Sequence, residues 1–296
     1  MISIITVAFN AKEQLNKTLE SVLAQRCDND VQFTGCECIV VDGGSTDGSA
    51  ELLEGYRDRF AKAGIHFDAR SEKDNGIYDG MNKGIRRASG DWVYFLNAGD
   101  VLYDTGVLQL IEGKLADADK DGIDIVYGDV CSIAGDVAEN AHTAENENDH
   151  GAGNAPGSDT QRHIMRSSGD INVIKKNLPF CHQAVFTRRS LHDEMMYSLN
   201  YRLAADDELF LKAYTKGAAF RYIPVVVAEF ALDGASNRNR KQLFLEYERI
   251  HKEYGLAKRG IAGALLHAWG LFKIAVAGII PDKLVYGIME KRINRK

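Results

Sequence analysis

Apolar runs typical of strands alternate with helix-like segments over the first hundred residues, and this alternation restricts the fold more than any other feature. Four runs have the length and composition of buried strands: 2–7, 38–41, 65–69 and 92–96. Three segments between them carry apolar residues at helical spacing: 15–25, 52–60 and 78–88. Because strands that are separated by helices pair in parallel through right-handed crossovers, the sequence predicts a doubly wound, mostly parallel α/β sheet.

Polar residues directly follow three of these strands. They are Asn10, the segment 42–47 and the segment 97–100. Ligands of open parallel sheets bind beyond the carboxyl ends of the strands, so we expect these residues to share one binding site. The chain has neither the G-x-G-x-x-G pattern after its first strand nor the G-x-x-x-x-G-K-[ST] pattern anywhere. This argues against a dinucleotide-binding dehydrogenase and against a P-loop NTPase.

The charge of the chain is unevenly distributed. The 36 Lys and Arg against 42 Asp and Glu give a net charge of −6, which argues against a general nucleic-acid binder. Residues 258–296 contain eight basic and two acidic residues, a charge of +6, so that residues 1–257 carry −12. We therefore expect the C-terminal segment and the rest of the chain to have different partners.

The five cysteines are few and odd in number. Met1 leads directly into an apolar run without a signal peptide, so we expect a reducing, cytoplasmic location. Cys36 and Cys38 form a C-x-C pair with no second pair or histidine nearby, which argues against a zinc site.

A long polar segment interrupts the chain. Residues 138–163 contain no Val, Ile, Leu, Met or aromatic residue, which predicts a mobile loop. The loop is either a simple insertion or a lid that orders over substrate, and the residues do not decide between the two.

The C-terminal part of the chain has a helical pattern over 240–254 and an apolar run over 260–280. The run is long enough to span a bilayer, but Lys273 lies near its middle, four glycines dilute it and Pro281 ends it. These features favour a helix that lies in a membrane interface or docks on protein. We therefore predict a catalytic domain over 1–235 and a helical, membrane-associating extension over 236–296.

Six motifs follow one another along the chain: IITVAFN at 4–10, VVDGGSTDG at 40–48, DNGIYDGMN at 74–82, GDWVYFLNAGD at 90–100, CHQ at 181–183 and AADDEL at 204–209. In this order the chain resembles family 2 glycosyltransferases of the GT-A fold, in particular the bacterial colanic-acid, exopolysaccharide and lipopolysaccharide type. The resemblance covers about residues 1–230. It implies an inverting, metal-dependent enzyme that transfers a sugar from a nucleotide-diphosphate donor, with UDP favoured, to a glycan or lipid-linked acceptor.

The donor needs acceptors for its base and ribose. Asp42 leaves a buried strand beside two glycines, so the backbone can approach a base or ribose while the carboxylate accepts from it. The resemblance implies that Asp42 contacts the base and that Val7 and Phe9 line its pocket. Four further residues receive roles on the same ground: Asp74 and Asn97 beside the donor, Asn82 as a donor-side residue or a purely structural one, and Asp47 as a loop support or a helix cap.

Asp100 stands where the family usually has Asp-x-Asp, but this chain has Asn97 in place of the first acid. Mg²⁺ and Mn²⁺ bind through one or two carboxylates together with substrate phosphates and water, so one aspartate is sufficient. The resemblance therefore implies that Asp100 is the metal ligand. Asn97 supplies either an amide oxygen to the metal or a hydrogen bond to the donor sugar. We expect the missing acid to weaken metal affinity.

Inverting transfer requires a base that deprotonates the acceptor hydroxyl. The resemblance assigns this role to Asp206, because Glu208 and Leu209 keep the pattern of acid, any residue, acid, leucine. Asp207 then occupies the variable position. His182 and Gln183 match the acceptor-side motif.

The expected setting is the inner face of the cell membrane, with peripheral contact to anionic lipid and surface polysaccharide as the product.

Two other functions remain open. A nucleotidyltransferase would require a glycine-rich basic loop after the first strand, which is absent after Val7. A catalytically degenerate nucleotide-sugar-binding or scaffold subunit is compatible with Asn97 in place of an acid. Turnover of the donor to free nucleotide diphosphate separates this alternative from the enzyme.

Overall fold

A nine-stranded sheet runs through the first of two compact units, Met1–Leu232 and Asp233–Lys296. The computed structural model describes residues 1–134, 161–231, 239–258 and 260–277. The strands are β1 Ile2–Ala8, β2 Cys36–Asp42, β3 His66–Ser71, β4 Trp92–Phe95, β5 Val101–Leu102, β6 Ile125–Ala134, β7 Gln161–Met165, β8 Val185–Arg188 and β9 Phe220–Ala231. The helices of this unit are α1 Lys12–Leu23, α2 Ser49–Lys62, α3 Ile77–Arg87, α4 Val107–Lys120, α5 Arg189–Glu194 and α6 Ala205–Thr215.

The strand order is β3-β2-β1-β4-β8-β6-β9-β5, and β7 pairs with β6. The parallel pairs β3–β2, β2–β1 and β1–β4 confirm the sheet predicted from the first hundred residues. Beyond β4 the sheet is mixed, because β8 runs antiparallel to both β4 and β6. The prediction of a mostly parallel sheet is thus too simple for the second half, where helices no longer separate every pair of strands.

The predicted loop over 138–163 lies mainly outside the described residues. The loop prediction is wrong for residues 161–163, because they belong to β7, which begins at Gln161 and pairs with β6. These three polar residues were missed as a strand because they contain no apolar residue, although their backbone pairs with β6.

The register of the parallel strands brings their carboxyl ends together. Ala8 is the partner of Asp42, and Ile5 is the partner of Phe95. The loops after β1, β2 and β4 therefore open at one edge, where the strand order changes direction around β1.

Helix α3 packs closely on β1 through two glycines one turn apart. A Cβ atom at Gly80 would lie 2.7 Å from Val7 Cγ1, and one at Gly84 would meet the Ile5 side chain. Such approaches are too short for any side chain at these positions. The glycines thus let α3 lie directly under the edge of the sheet where the three loops open.

A buried histidine connects β8 to the end of α5. His192 Nδ1 donates to the Met195 carbonyl oxygen at 3.2 Å, and Nε2 accepts from the Thr187 hydroxyl at 2.7 Å. Both ring nitrogens are therefore satisfied when the imidazole is neutral. Burial lowers the pKa of His192 to about 4.

We expect His192 to make the protein less stable in mild acid. The unfolded chain takes up a proton near pH 6.5 and the folded chain only near 4, so stability falls as pH decreases between these values. The loss amounts to about 3 kcal/mol. Urea unfolding from pH 7 to pH 4 measures it, with His192→Gln as the comparison because its amide does not titrate. Identical pH profiles for the two proteins would contradict this prediction.

The second unit contains the helices α7, Arg240–Glu253, and α8, Gly260–Ala277. The two helices are joined by His267 of α8, whose Nδ1 lies 2.5 Å from Glu248 Oε2 of α7. Three large apolar side chains of α8 are exposed, Leu265 at 66%, Trp269 at 54% and Phe272 at 56%. Among the described residues no helix has the length and apolar character needed to cross a membrane. Residues 278–296 lie outside the described residues.

Candidate functional site

The loops after β1 and β2 are bonded to each other through Asn10. Its backbone N–H donates to Ser45 Oγ at 2.7 Å, and its Oδ1 accepts from the Thr46 N–H at 2.9 Å. Asn10 has a φ of +47°, in the left-handed region where asparagine is better tolerated than most residues. The two loops thus form one rim at the sheet edge.

Two aspartates organise this rim. Asp42 is completely buried, and its carboxylate accepts hydrogen bonds from the backbone and hydroxyl of Ser45 and from the hydroxyl of Ser71. In this arrangement Asp42 holds the loop, and its contact with a base stays a prediction. Asp47 accepts from the Lys12 N–H at 2.9 Å and from the backbone and hydroxyl of Ser49. It therefore caps the starts of α1 and α2 at once, and the Ser49 hydroxyl contributes most to lowering its pKa.

An exposed aromatic ring lies beside this rim. Phe9 is 63% exposed, and a Cβ atom at Gly43 would lie 3.3 Å from its ring and 2.8 Å from Asp74 Oδ2. Asp74 is fixed by the Gly76 N–H, which donates to Oδ1 at 3.0 Å. Val7 is buried beneath these residues, against Gly80. The structure thus brings Val7, Phe9 and Asp74 to one edge, with an aromatic face and a carboxylate oxygen side by side.

Asn82 is a brace between α3 and the segment that follows α5. Its Nδ2 donates to the Tyr197 carbonyl oxygen and its Oδ1 accepts from the Tyr197 N–H, both at 2.9 Å. The side chain is buried. Of the two roles left open by the sequence, this geometry favours the structural one.

The turn after β4 holds Asn97 and Asp100. The Asp100 N–H donates to the Asn97 carbonyl oxygen at 2.9 Å, and the Thr18 hydroxyl of α1 donates to the Asp100 carbonyl oxygen at 2.8 Å. Burial raises the pKa of the Asp100 carboxyl to about 7. Asn97 Oδ1 is buried and has no hydrogen-bond partner among the described residues. The turn therefore contains a buried amide oxygen without a hydrogen bond and a carboxylate whose charged form is disfavoured by burial.

These oxygens fit a hard divalent cation. No group of three or more His, Cys, Asp or Glu side chains in the described part of the chain could hold a metal. Mg²⁺ and Mn²⁺ accept a site with one carboxylate and one amide oxygen when phosphates and water supply the other ligands. Asp100 and Asn97 are the residues that could hold such an ion here.

Across the site, Asp206 lies in the first turn of α6. Its Oδ1 accepts from the Tyr78 hydroxyl at 3.0 Å, and its Oδ2 lies 3.5 Å from His182 Nδ1. The Asp206 side chain remains 16% exposed, so an incoming hydroxyl can reach it. Burial lowers the pKa of His182, although the Asp206 charge acts in the opposite direction.

The segment before β8 joins the two ends of the site. The Tyr94 hydroxyl donates to the Gln183 carbonyl oxygen at 2.9 Å, which fixes the turn that carries His182. The pKa of the neighbouring Cys181 is raised to about 11, mainly by burial and also by the charges of Asp206 and Asp100.

Sequence reasoning gave no role to Tyr78 or Tyr197. Tyr78 lies within the motif at 74–82, but a tyrosine at helical spacing is normally a core residue. The available signal was its position one turn before Asn82, which places both side chains on the same face of α3. Tyr197 lies 115 residues from Asn82 in sequence, so no local pattern pointed to their contact.

Comparisons with known proteins identify the family of this chain. The family model for Glycosyl transferase family 2 matches residues 3–196. The PGL/p-HBAD biosynthesis glycosyltransferase of Mycobacterium bovis is 30% identical over 259 residues, which cover 83% of each chain. An uncharacterized glycosyltransferase of Mycobacterium tuberculosis is 31% identical over 275 residues, 90% of this chain and 89% of that one.

The fold of this chain resembles the solved structures of other proteins. Mannosyltransferase PcManGT from Pyrobaculum calidifontis, in complex with GDP-Man and Mn²⁺, has a TM-score of 0.57 at 16% identity and covers 98% of this chain and 79% of its own. S. aureus TarS 1–349 in complex with UDP has a TM-score of 0.55 at 16% identity, and the match spans 84% of this chain but 64% of the TarS chain. The fold is thus the GT-A type with a mixed sheet. From its motifs, its curated relatives and the match over residues 3–196, the chain belongs to glycosyl transferase family 2.

Proposed function

We propose that this glycosyltransferase transfers a sugar from a nucleotide-diphosphate donor, with UDP favoured, to a glycan or lipid-linked acceptor of a bacterial surface polysaccharide. The observation that carries the proposal is the position of the partly exposed Asp206 carboxylate. It lies beside His182, and the segment that carries His182 is bonded through the Gln183 carbonyl to Tyr94 of β4, the strand that leads into the turn of Asp100. A base connected in this way to the turn that would bind the diphosphate suits direct, inverting transfer between two bound substrates.

In this reaction Asp206 takes the proton of the acceptor hydroxyl as that oxygen attacks the anomeric carbon. The bond from the anomeric carbon to the diphosphate breaks, and its electron pair leaves with the diphosphate. His182 and Gln183 lie on the acceptor side of the base. The divalent cation, Mn²⁺ or Mg²⁺, would be held by Asp100 and Asn97 and would offset the diphosphate charge.

The donor base would bind at the rim after β1 and β2. The exposed ring of Phe9 offers a face for stacking, and Asp74 offers a carboxylate oxygen to N–H groups of the base. Val7 supports this edge from below, and Asp42 and Asn82 hold the surrounding loops in place.

A panel of nucleotide sugars tests the proposal. Each is added with and without Mn²⁺, the shift in melting temperature reports binding, and release of nucleotide diphosphate reports turnover. We expect one donor class to stabilise the protein and to be turned over when acceptor is present. Binding without any turnover would support the degenerate binding or scaffold subunit, which Asn97 in place of the first acid favours. Absence of both would contradict the proposal.

We also propose that the second unit contacts an anionic membrane surface, on the inner face of the cell membrane. Leu265, Trp269 and Phe272 follow one another at helical spacing on α8, and the Trp269 and Phe272 rings stack at 5.5 Å. The surrounding segment 258–296 carries a charge of +6. Anionic lipid attracts each nearby Lys or Arg by roughly 1 kcal/mol, and the apolar face adds burial.

Replacing Trp269 and Phe272 together with serine is expected to lower sedimentation with anionic liposomes by roughly tenfold or more at low salt. The physical reason is the loss of two large apolar side chains from the interface. Leu110→Ser is the control, since Leu110 is a similarly exposed apolar residue on α4. If the double variant sediments like the wild type, or if the wild type does not sediment at all, the membrane proposal is wrong.

A further inference from the structure

We propose that Tyr78 is a positioning residue for the base, and that α3 thereby fixes both the base and residues 74–76, which we call the donor loop. This inference rests on the proposed role of Asp206. Tyr78 Oη lies 3.0 Å from Asp206 Oδ1, while Oδ2 lies 3.5 Å from His182 Nδ1 and the side chain as a whole is 16% exposed. Tyr78 therefore occupies one carboxylate oxygen and leaves the other to meet the acceptor hydroxyl.

The ring of Tyr78 is held by its neighbours. It is buried and stacks on the ring of Tyr197 with centroids 5.5 Å apart and planes 20° apart. Tyr197 also contacts the edge of the Phe95 ring on β4. The backbone of Tyr197 is bonded twice to Asn82, one turn along α3 from Tyr78. The hydroxyl consequently has little freedom to leave the carboxylate.

The opposite side of the same helical turn holds the donor loop. Asp79 Oδ2 accepts from the backbone of Asn75 at 3.0 Å and from its side-chain amide at 3.2 Å. The Gly76 N–H, at the start of α3, donates to Asp74. A shift of the donor loop would therefore move the turn that carries Tyr78, and with it the orientation of the base.

Tyr78 stays a donor at any working pH. Burial raises its pKa, and the charge of Asp206 raises it further. Other ionisable groups also surround the base. His182 Nδ1 lies 3.5 Å from Oδ2, burial and the Asp206 charge raise the pKa of Tyr197 and Cys181, and Asp207 is the next residue on α6. For Tyr78 the structure gives a hydrogen-bonding distance to the Asp206 carboxylate.

Tyr78→Phe tests the proposal, because it removes only the hydroxyl and keeps the stacked ring. We expect kcat to fall roughly 10- to 100-fold, while the donor KM and the melting shift with donor stay unchanged. The acid limb of the kcat profile should move to higher pH, since the charged carboxylate loses a donor that favours it. Combining Tyr78→Phe with Asp206→Asn should cost no more than Asp206→Asn alone.

Tyr56→Phe is the matched control. Tyr56 is also buried, and its hydroxyl lies 2.5 Å from a carboxylate oxygen, Glu20 Oε1, and 2.7 Å from Asn16 Oδ1, so it joins α2 to α1. A Tyr78→Phe variant with wild-type kcat and pH profile, while Asp206→Asn is inactive, would overturn the positioning role and leave the proposed function intact. A fully active Asp206→Asn variant would instead overturn the assignment of the base itself, and the role of Tyr78 with it.

Discussion

Replacing Asp206 with asparagine is expected to lower kcat by about 10²–10⁴-fold, the usual contribution of a positioned base. Asparagine keeps the size of the side chain and an oxygen that can accept from Tyr78 at the present 3.0 Å. It cannot take the proton of the acceptor. Among the residues that the structure describes, the polar contacts of Asp206 are with Tyr78 and His182, and not with the loops after β1 and β2 where the donor base would bind. Donor binding should therefore remain nearly unchanged. Initial rates and the donor-induced melting shift measure the two effects separately.

Two control variants fix the assignment. Asp207→Asn changes the neighbouring acid at the variable position of the motif, so it should retain activity. Asp193→Asn, an exposed aspartate on α5, measures the effect of losing one negative charge elsewhere. An inactive Asp207→Asn beside an active Asp206→Asn would move the base by one residue. If both variants stay active, this stretch is not catalytic.

The first half of the fold was predictable because its signals are local. The apolar runs of β1 and β2 are buried on both faces, and a helix follows each of them. Polar residues after such strands must then meet at one edge, as the loops of Asn10, Asp42 and Asp100 do. The antiparallel placement of β8 between β4 and β6 depends on pairing across about 60 to 90 residues, which leaves no local pattern.

The roles within the site were less predictable than its location. A glycine-flanked aspartate after a strand is equally suited to bind a ligand or to hold its own loop. Asp42 holds its loop in this structure because Ser71, 29 residues away, supplies a hydroxyl. Tyr78 has the pattern of a core residue, but its hydroxyl donates a hydrogen bond to Asp206, 128 residues away. Sequence motifs therefore located the polar groups, and the distant partners decided what each group does.

Replacing Asp100 with asparagine is expected to weaken Mn²⁺ binding at least roughly 10- to 100-fold, the cost of removing even an outer-shell partner. The substitution keeps the shape of the turn and its contact with Thr18 through the backbone. It removes the carboxylate that would offset the charge of a bound cation. Donor affinity and kcat should both fall, whereas Asp206→Asn is expected to lower kcat alone. Titration of Mn²⁺ by calorimetry, with and without nucleotide diphosphate, measures the metal site without relying on activity.

The reverse change at Asn97 makes this test sharper. Asn97 Oδ1 is buried without a hydrogen-bond partner among the described residues, so a cation or a donor group would satisfy it. Asn97→Asp adds a second carboxylate beside Asp100 and should tighten Mn²⁺ binding, because opposite charge then compensates the ion more fully. Full metal-dependent activity in Asp100→Asn would contradict the assignment of the ligand. Equal wild-type activity in excess chelator would contradict any use of metal, and Asn97 would then have to bind the donor directly.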